Sequence, residues 1–190
     1  MKLSLTLRTV LLAGAALAAG TTWAQQTLVP AQSSIAFTAK QLGVPLKGHF
    51  QKFDAQVQFS TAKPQDSKVQ FTIDTDSATL GSQEADSNLL NASWLHSAKF
   101  PKATFESEQV KALGSGKYQI DGALTIKGQK HPVSVPVQLT QSGGTTTATG
   151  SFTLQRLPFQ IGDGEWADTT MVANDVQVQF KLGLTGVDPL

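Results

Sequence analysis

The side chains that could do chemistry are few, and their spacing argues against a reactive centre. His49, His96 and His131 stand on separate segments, none with a second ligand at metal-binding spacing. Asp163, Glu165 and Asp168 cluster in a Gly-containing loop but lack the ligand order of a calcium loop, so the cluster reads as solvated. Asp74 and Asp76, like Glu106 and Glu108, sit two apart, which turns each pair to one side of a strand; their neighbours are apolar, so that side faces water. No nucleophile stands beside a legible base. The chain has no cysteine, which removes disulfides, zinc–thiolate sites and a lipid-modified cysteine. These residues predict a protein that is not an enzyme, with no catalytic residue, metal or cofactor beyond a bound lipid.

The chemistry that remains is apolar, and it is carried by alternation. Every second residue is hydrophobic in eight runs, the period of half-buried strands. The runs are built on Ile35 and Phe37; Phe53 to Phe59; Val69, Phe71 and Ile73; Ala103 and Phe105; Tyr118 to Ile126; Val133 to Leu139; Ala148, Phe152 and Leu154; and Val176 to Leu184. Lys63-Pro64, Gly114-Ser115-Gly116, Gly128 and Gly143-Gly144 punctuate them with turn chemistry. One stretch breaks the pattern. Leu89, Leu90, Trp94 and Leu95 fall near helical spacing behind an N-cap at Asp86 or Ser87, which predicts one short helix near residues 86–97, placed as a lid over an open end of the sheet.

Eight antiparallel strands with one apolar face form a sandwich or a barrel. The inward face is bulky in Phe and Tyr, and closure would remove exposed edges, so the expectation is a single antiparallel eight-stranded barrel. Its interior would be lined by Phe37, Phe59, Phe71, Ile73, Trp94, Phe105, Tyr118, Ile126, Phe152 and Phe180, with Arg156 and Trp166 at the mouth, where Arg could donate to a head-group oxygen. From periodicity alone, side chains that simply fill the barrel explain the pattern as well.

Lys2 and Arg8 precede an apolar stretch, Val10 to Ala19, that is followed by Gly20, Thr21 and the small residues Thr22 and Ala24 around Trp23. This is the pattern of an export signal cut after Ala24, and the stretch is far short of the roughly 20 residues of a membrane span. Removing residues 1–24 moves the formal charge from +1 to −1, so residues 25–190 carry no footprint for nucleic acid. They are expected to form one domain without stable membrane insertion.

Three segments then carry a likeness: NASWLHSAKFPKATFES (91–107), DGALTIKGQKHP (121–132), and QRLPFQIGDGEW (155–166) followed by NDVQVQF (174–180). In this order they resemble the YceI-like family across nearly all of the chain after residue 24, although Trp94-Leu95 stand where the family usually shows paired aromatics. The resemblance implies an all-β, lipocalin-like barrel exported to the periplasm, whose tunnel binds a polyisoprenoid or a related amphiphile for carriage, storage or sequestration. Family members are encoded with or joined to membrane cytochromes, which implies an isoprenoid quinone as ligand and a cytochrome as partner. The alternative is a stress-related or interaction protein with a filled barrel and no stable ligand.

Overall fold

A computed structural model describes residues 26–190; the expected export signal lies outside the described residues. Ten strands form one antiparallel sheet: β1 (Thr27–Gln41), β2 (Val44–Phe50), β3 (Phe53–Gln58), β4 (Lys68–Asp74), β5 (Ala78–Thr79), β6 (Lys102–Gly114), β7 (Lys117–Ile126), β8 (Gln129–Ser142), β9 (Thr145–Gln155) and β10 (Asp175–Thr185). Their order across the sheet is β3-β4-β6-β7-β8-β9-β10-β1-β2-β5. Only Gln51 and Lys52 separate β2, near one margin, from β3, at the other. The sheet must therefore curl until its margins meet, which gives the lipocalin-like all-β fold.

The β3 margin meets the residue that leads into β1, Gln26. It bridges Val57 of β3 in antiparallel fashion, and its buried side-chain amide donates to the Phe59 carbonyl (2.6 Å) and accepts from the Phe59 N–H (2.7 Å). One side chain thus supplies the donor and acceptor that another strand residue would have offered.

The eight expected runs fall on strands, with Phe59 just past the end of β3, but among the described residues the count is ten. β2 was illegible because Pro45 and Gly48 interrupt its alternation, and β5 is only two residues long. The helix, α1 (Gln83–Leu90), starts earlier than expected and is shorter. Ser82 is its N-cap, accepting from the Ala85 N–H, whereas Asp86 turns back to accept from the Leu80 N–H (2.6 Å) and the Thr79 hydroxyl (2.7 Å). Those two bonds, the Leu80 one first, hold the Asp86 carboxyl below its ordinary pKa. Trp94 and Leu95 follow in tight turns, closed by Leu95 N–H to Leu89 O and His96 N–H to Asn91 O.

The interior divides into two apolar clusters. The larger runs along the barrel through Ile35, Val57, Phe59, Val110, Tyr118, Val137 and Leu184. The smaller, with Ala78, Leu95, Leu124, Leu154, Phe159 and Ile161, lies where α1 and the loop after β9 cover one end. Among the described residues no helix is long and apolar enough to cross a membrane.

Candidate functional site

Alternation puts one face of each strand inside the curled sheet, and those faces line a cavity of about 150 Å³. It runs from Val178 to Leu184 along β10 and from Thr146 to Phe152 along β9, about 20 Å of strand. Nearly every lining residue is hydrocarbon; Thr146 lines it too, but its hydroxyl already accepts from the Gln141 side-chain amide (2.9 Å). Such a chamber holds apolar chains by removing them from water and offers nothing to a charge.

Of the ten side chains expected to line the interior, Phe59, Phe71, Ile73, Phe105, Tyr118, Phe152 and Phe180 border the cavity. Phe59 meets Tyr118 edge-on, with centroids 5.0 Å apart. The ring of Phe180 lies over Gly150, its cross-strand partner, and that of Phe105 over Gly122; a Cβ at either glycine would collide with the ring and a backbone carbonyl. Phe37, Trp94 and Ile126 lie elsewhere. Phe37 packs over Gly48 and against Phe50 (5.4 Å), and Trp94 and Ile126 pack on the covered end. For Phe37 and Ile126, alternation reports the face of a strand and not how far along it the cavity extends; Trp94, placed by helical spacing instead, sits in the turns after α1, on the cap. The lining residues not singled out, such as Val57, Val135, Val137, Leu139, Ala148 and Leu182, lie on the same inward faces and were legible by the same period.

Arg156 is a different residue from the one expected at a mouth. It is 1% exposed, and all five guanidinium N–H groups are engaged. Nε donates to Ala173 O (3.0 Å), Nη1 to Ile161 O (2.9 Å) and Gly162 O (2.7 Å), and Nη2 to Trp166 O (2.7 Å) and Val172 O (2.7 Å). Burial lowers its pKa from the ordinary arginine value. With no donor left for a ligand, Arg156 instead draws the loop between β9 and β10 around itself. Trp94 lies against that guanidinium (5.8 Å) and against Trp166 (5.7 Å). Gly162, at φ +67°, completes the packing, since a Cβ there would stand 2.7 Å from Arg156 Nη1 and 2.9 Å from the Trp94 ring.

Lys127, 5% exposed, is a second buried cation that the sequence did not reveal. From the turn between β7 and β8 its Nζ donates to Gln160 O (2.6 Å), Asp163 Oδ2 (3.1 Å) and, at a longer 3.4 Å, Ser93 O. Asp163 is therefore part of the cap, and Asp168 closes a turn by accepting from the hydroxyl and N–H of Thr170, which lowers its pKa in that order. His131 bonds Pro158 O (3.0 Å) and stands edge-on to Phe159; His96 stands edge-on to Phe100. Among the described residues no group of three His, Cys, Asp or Glu could hold a metal.

The family model described as a YceI-like domain matches residues 26–184. A UPF0312 protein of Yersinia pestis (strain Pestoides F) is 41% identical over 110 residues, 57% of each chain, and a UPF0312 protein of Shewanella denitrificans is 35% identical over 114 residues, 60% of each. These matches thus span less than two thirds of the relatives' length. BcnA of Burkholderia cenocepacia superposes with a TM-score of 0.79 at 39% identity, covering 82% of this chain and 98% of that one. A polyisoprenoid binding domain from Saccharophagus degradans, implicated in plant cell wall breakdown, superposes at 0.63 with 16% identity, a likeness of fold alone, over 85% and 98% of the two chains.

Proposed function

Because the chain belongs to the YceI-like domain family, we propose that it is a periplasmic binding protein that holds a long apolar lipid, a polyisoprenoid or an isoprenoid quinone, inside the barrel and does no chemistry on it. In this reading residues 1–24 are an export signal and residues 25–190 one binding domain. The observation that carries the proposal is the almost wholly hydrocarbon cavity inside the curled sheet. The polyisoprenoid-binding neighbour of like fold supports the same class of ligand. If the ligand is a quinone, a membrane cytochrome is its natural redox partner.

Magnitudes favour a long chain. Burying a methylene stabilises by about 0.8 kcal/mol, so ten contribute about 8 kcal/mol. Immobilising a ligand costs about 4–15 kcal/mol, so a short chain would be held weakly. The cavity of about 150 Å³ matches one that takes up a benzene-sized guest, so a prenyl chain must push lining side chains aside as it threads in. That tightness also favours a second reading, an interaction protein whose barrel is filled by its own side chains. Protein purified without detergent from the periplasm of its own host, extracted with organic solvent and analysed by mass spectrometry, separates the two. A stoichiometric prenyl compound is the expected result; an empty extract overturns the first reading in favour of the second.

A further inference from the structure

The wall of the barrel is unevenly closed. From β3 through β10 to β1, every neighbouring pair is joined by an antiparallel ladder. Between β1 and β3, among the described residues, the only bridge is Gln26 to Val57; β1 next meets its neighbour at Ile35, paired with Phe50 of β2. Along the interval, residues 30–34 of β1 face the bend at Gln51-Lys52 and the start of β3 without a ladder. The cause is an excursion in β1: five steps from Val29 to Ser34 answer two from Gly183 to Lys181 on β10. Ser33 Oγ accepts from the Gly183 N–H (3.0 Å) and donates to Val29 O (2.8 Å), and Gln32 lies over Gly183, where a Cβ would come within 2.8 Å of it. The excursion is thereby drawn onto β10, away from β3.

Outside this interval lies a groove of about 490 Å³. Ile35 borders both the groove and the cavity, while Phe50 and Phe53 line the groove and pack, half-buried, against the barrel core. The groove's polar lining holds hydrogen-bond donors, Ser34, His49 and Lys52 among them, and no carboxylate. The two ends of the barrel are better closed. Arg156 and Lys127 pin the cap at one, and the Gln26 amide and the Phe59–Tyr118 pair close the other.

We propose that the hydrocarbon chain enters and leaves the cavity sideways, through the seam between β1 and β3, with Ile35, Phe50 and Phe53 as the gate and an acceptor head group resting on Lys52, His49 and Ser34 in the groove. The proposal rests on the binding function above. It needs no unfolding of the cap: parting three side chains across an interval without ladder bonds opens a path, whereas the capped end requires the Arg156 and Lys127 hydrogen bonds to break and the other end the Gln26 pair and the Phe59–Tyr118 contact. The acceptor oxygens of a phosphate or of a quinone carbonyl share the chemistry the groove offers.

The test uses residues 25–190, whose lack of cysteine makes any introduced thiol unique. Ser34, exposed at the groove, is changed to Cys and capped with a bulky maleimide; Ser142→Cys at one barrel end and Thr169→Cys in the cap loop, both at exposed positions, are capped alike. Retinol, a fluorescent isoprenoid alcohol, is the probe, and its uptake and release are followed by stopped flow. Capping at Ser34 is expected to slow both rates about tenfold or more, with Ser142 and Thr169 caps without effect, as for a change in barrier height. Unchanged rates at Ser34, or slowing at Ser142 or Thr169 instead, overturn the lateral path. If the uncapped protein takes up no retinol at equilibrium, the binding function itself fails, and the seam with it. For the head group, Lys52→Glu should weaken retinoic acid, whose head is a carboxylate, about tenfold while leaving retinol nearly unchanged. Equal effects on both would remove Lys52 from the site.

Discussion

At Ala148 the size of one side chain decides what the barrel can hold. It is 5% exposed, borders the cavity, and is the cross-strand partner of Leu139 and Leu182. Ala148→Phe places a ring in a space of about one ring, so uptake of retinol should fall at least tenfold, read by fluorescence titration, at a stability cost of about 1–3 kcal/mol. Undiminished uptake would place the ligand outside the cavity. Arg156 makes the opposite kind of contribution. Arg156→Leu leaves five carbonyls without their donor, and one buried acceptor alone costs about 1–3 kcal/mol, so urea unfolding should show a loss of at least about 3 kcal/mol. Arg156→Lys should fall between, since an ammonium has three donors to offer five acceptors.

At the scale of elements, strand pairs carry the charges. Asp121 on β7 accepts from Lys111 of β6 (2.8 Å), from Ser134 of β8 and from Gln119 (2.8 Å), and these bonds lower its pKa to about 2, the Lys111 bond contributing most. The unfolded carboxyl titrates near 3.8, so the folded state prefers it ionised. Its contribution is therefore complete above about pH 4 and is lost as pH falls toward 2, the sign expected for a depressed acid. In Asp121→Asn, urea midpoints measured from pH 5 to pH 2 should fall less steeply than in the parent; an unchanged slope would mean that these bonds do not persist in solution. α1 depends on its cap in the same local way, and Ser82→Ala should cost about 1 kcal/mol.

The barrel wall of the described residues depends on a pairing between strands far apart in the chain. β1 lies antiparallel to β10, with Thr27 opposite Thr185, so the wall is complete only when the first and last described strands meet. Removing residues 175–190 would leave β9 and β1 as long unpaired edges and open the cavity to water. Such a chain should fail to give the dispersed near-ultraviolet and amide signals of the full protein and should aggregate. Folding of the intact chain, governed by this distant pairing, belongs in the millisecond-to-second range by stopped-flow fluorescence.

Local periodicity carried much of this. Alternation of Val133, Val135, Val137 and Leu139 needs no tertiary partner to be read, because a strand turns alternate residues to opposite faces whatever lies beside it. Family likeness in residues 91–107, 121–132, 155–166 and 174–180 was legible for the same reason: each of those segments is contiguous. What the tertiary structure decided are distances between residues far apart in the chain. The burial of Arg156 and Lys127 depends on which carbonyls a folded loop presents, and charge in a sequence reads as exposure until those partners are known. The two extra strands, the seam left by the excursion in β1, and the division of the aromatics between cavity and cap depend on register and on where the cap descends. Sequence by itself determined that the interior is hydrocarbon; packing alone decided how much room remains inside it and where its wall is weakest.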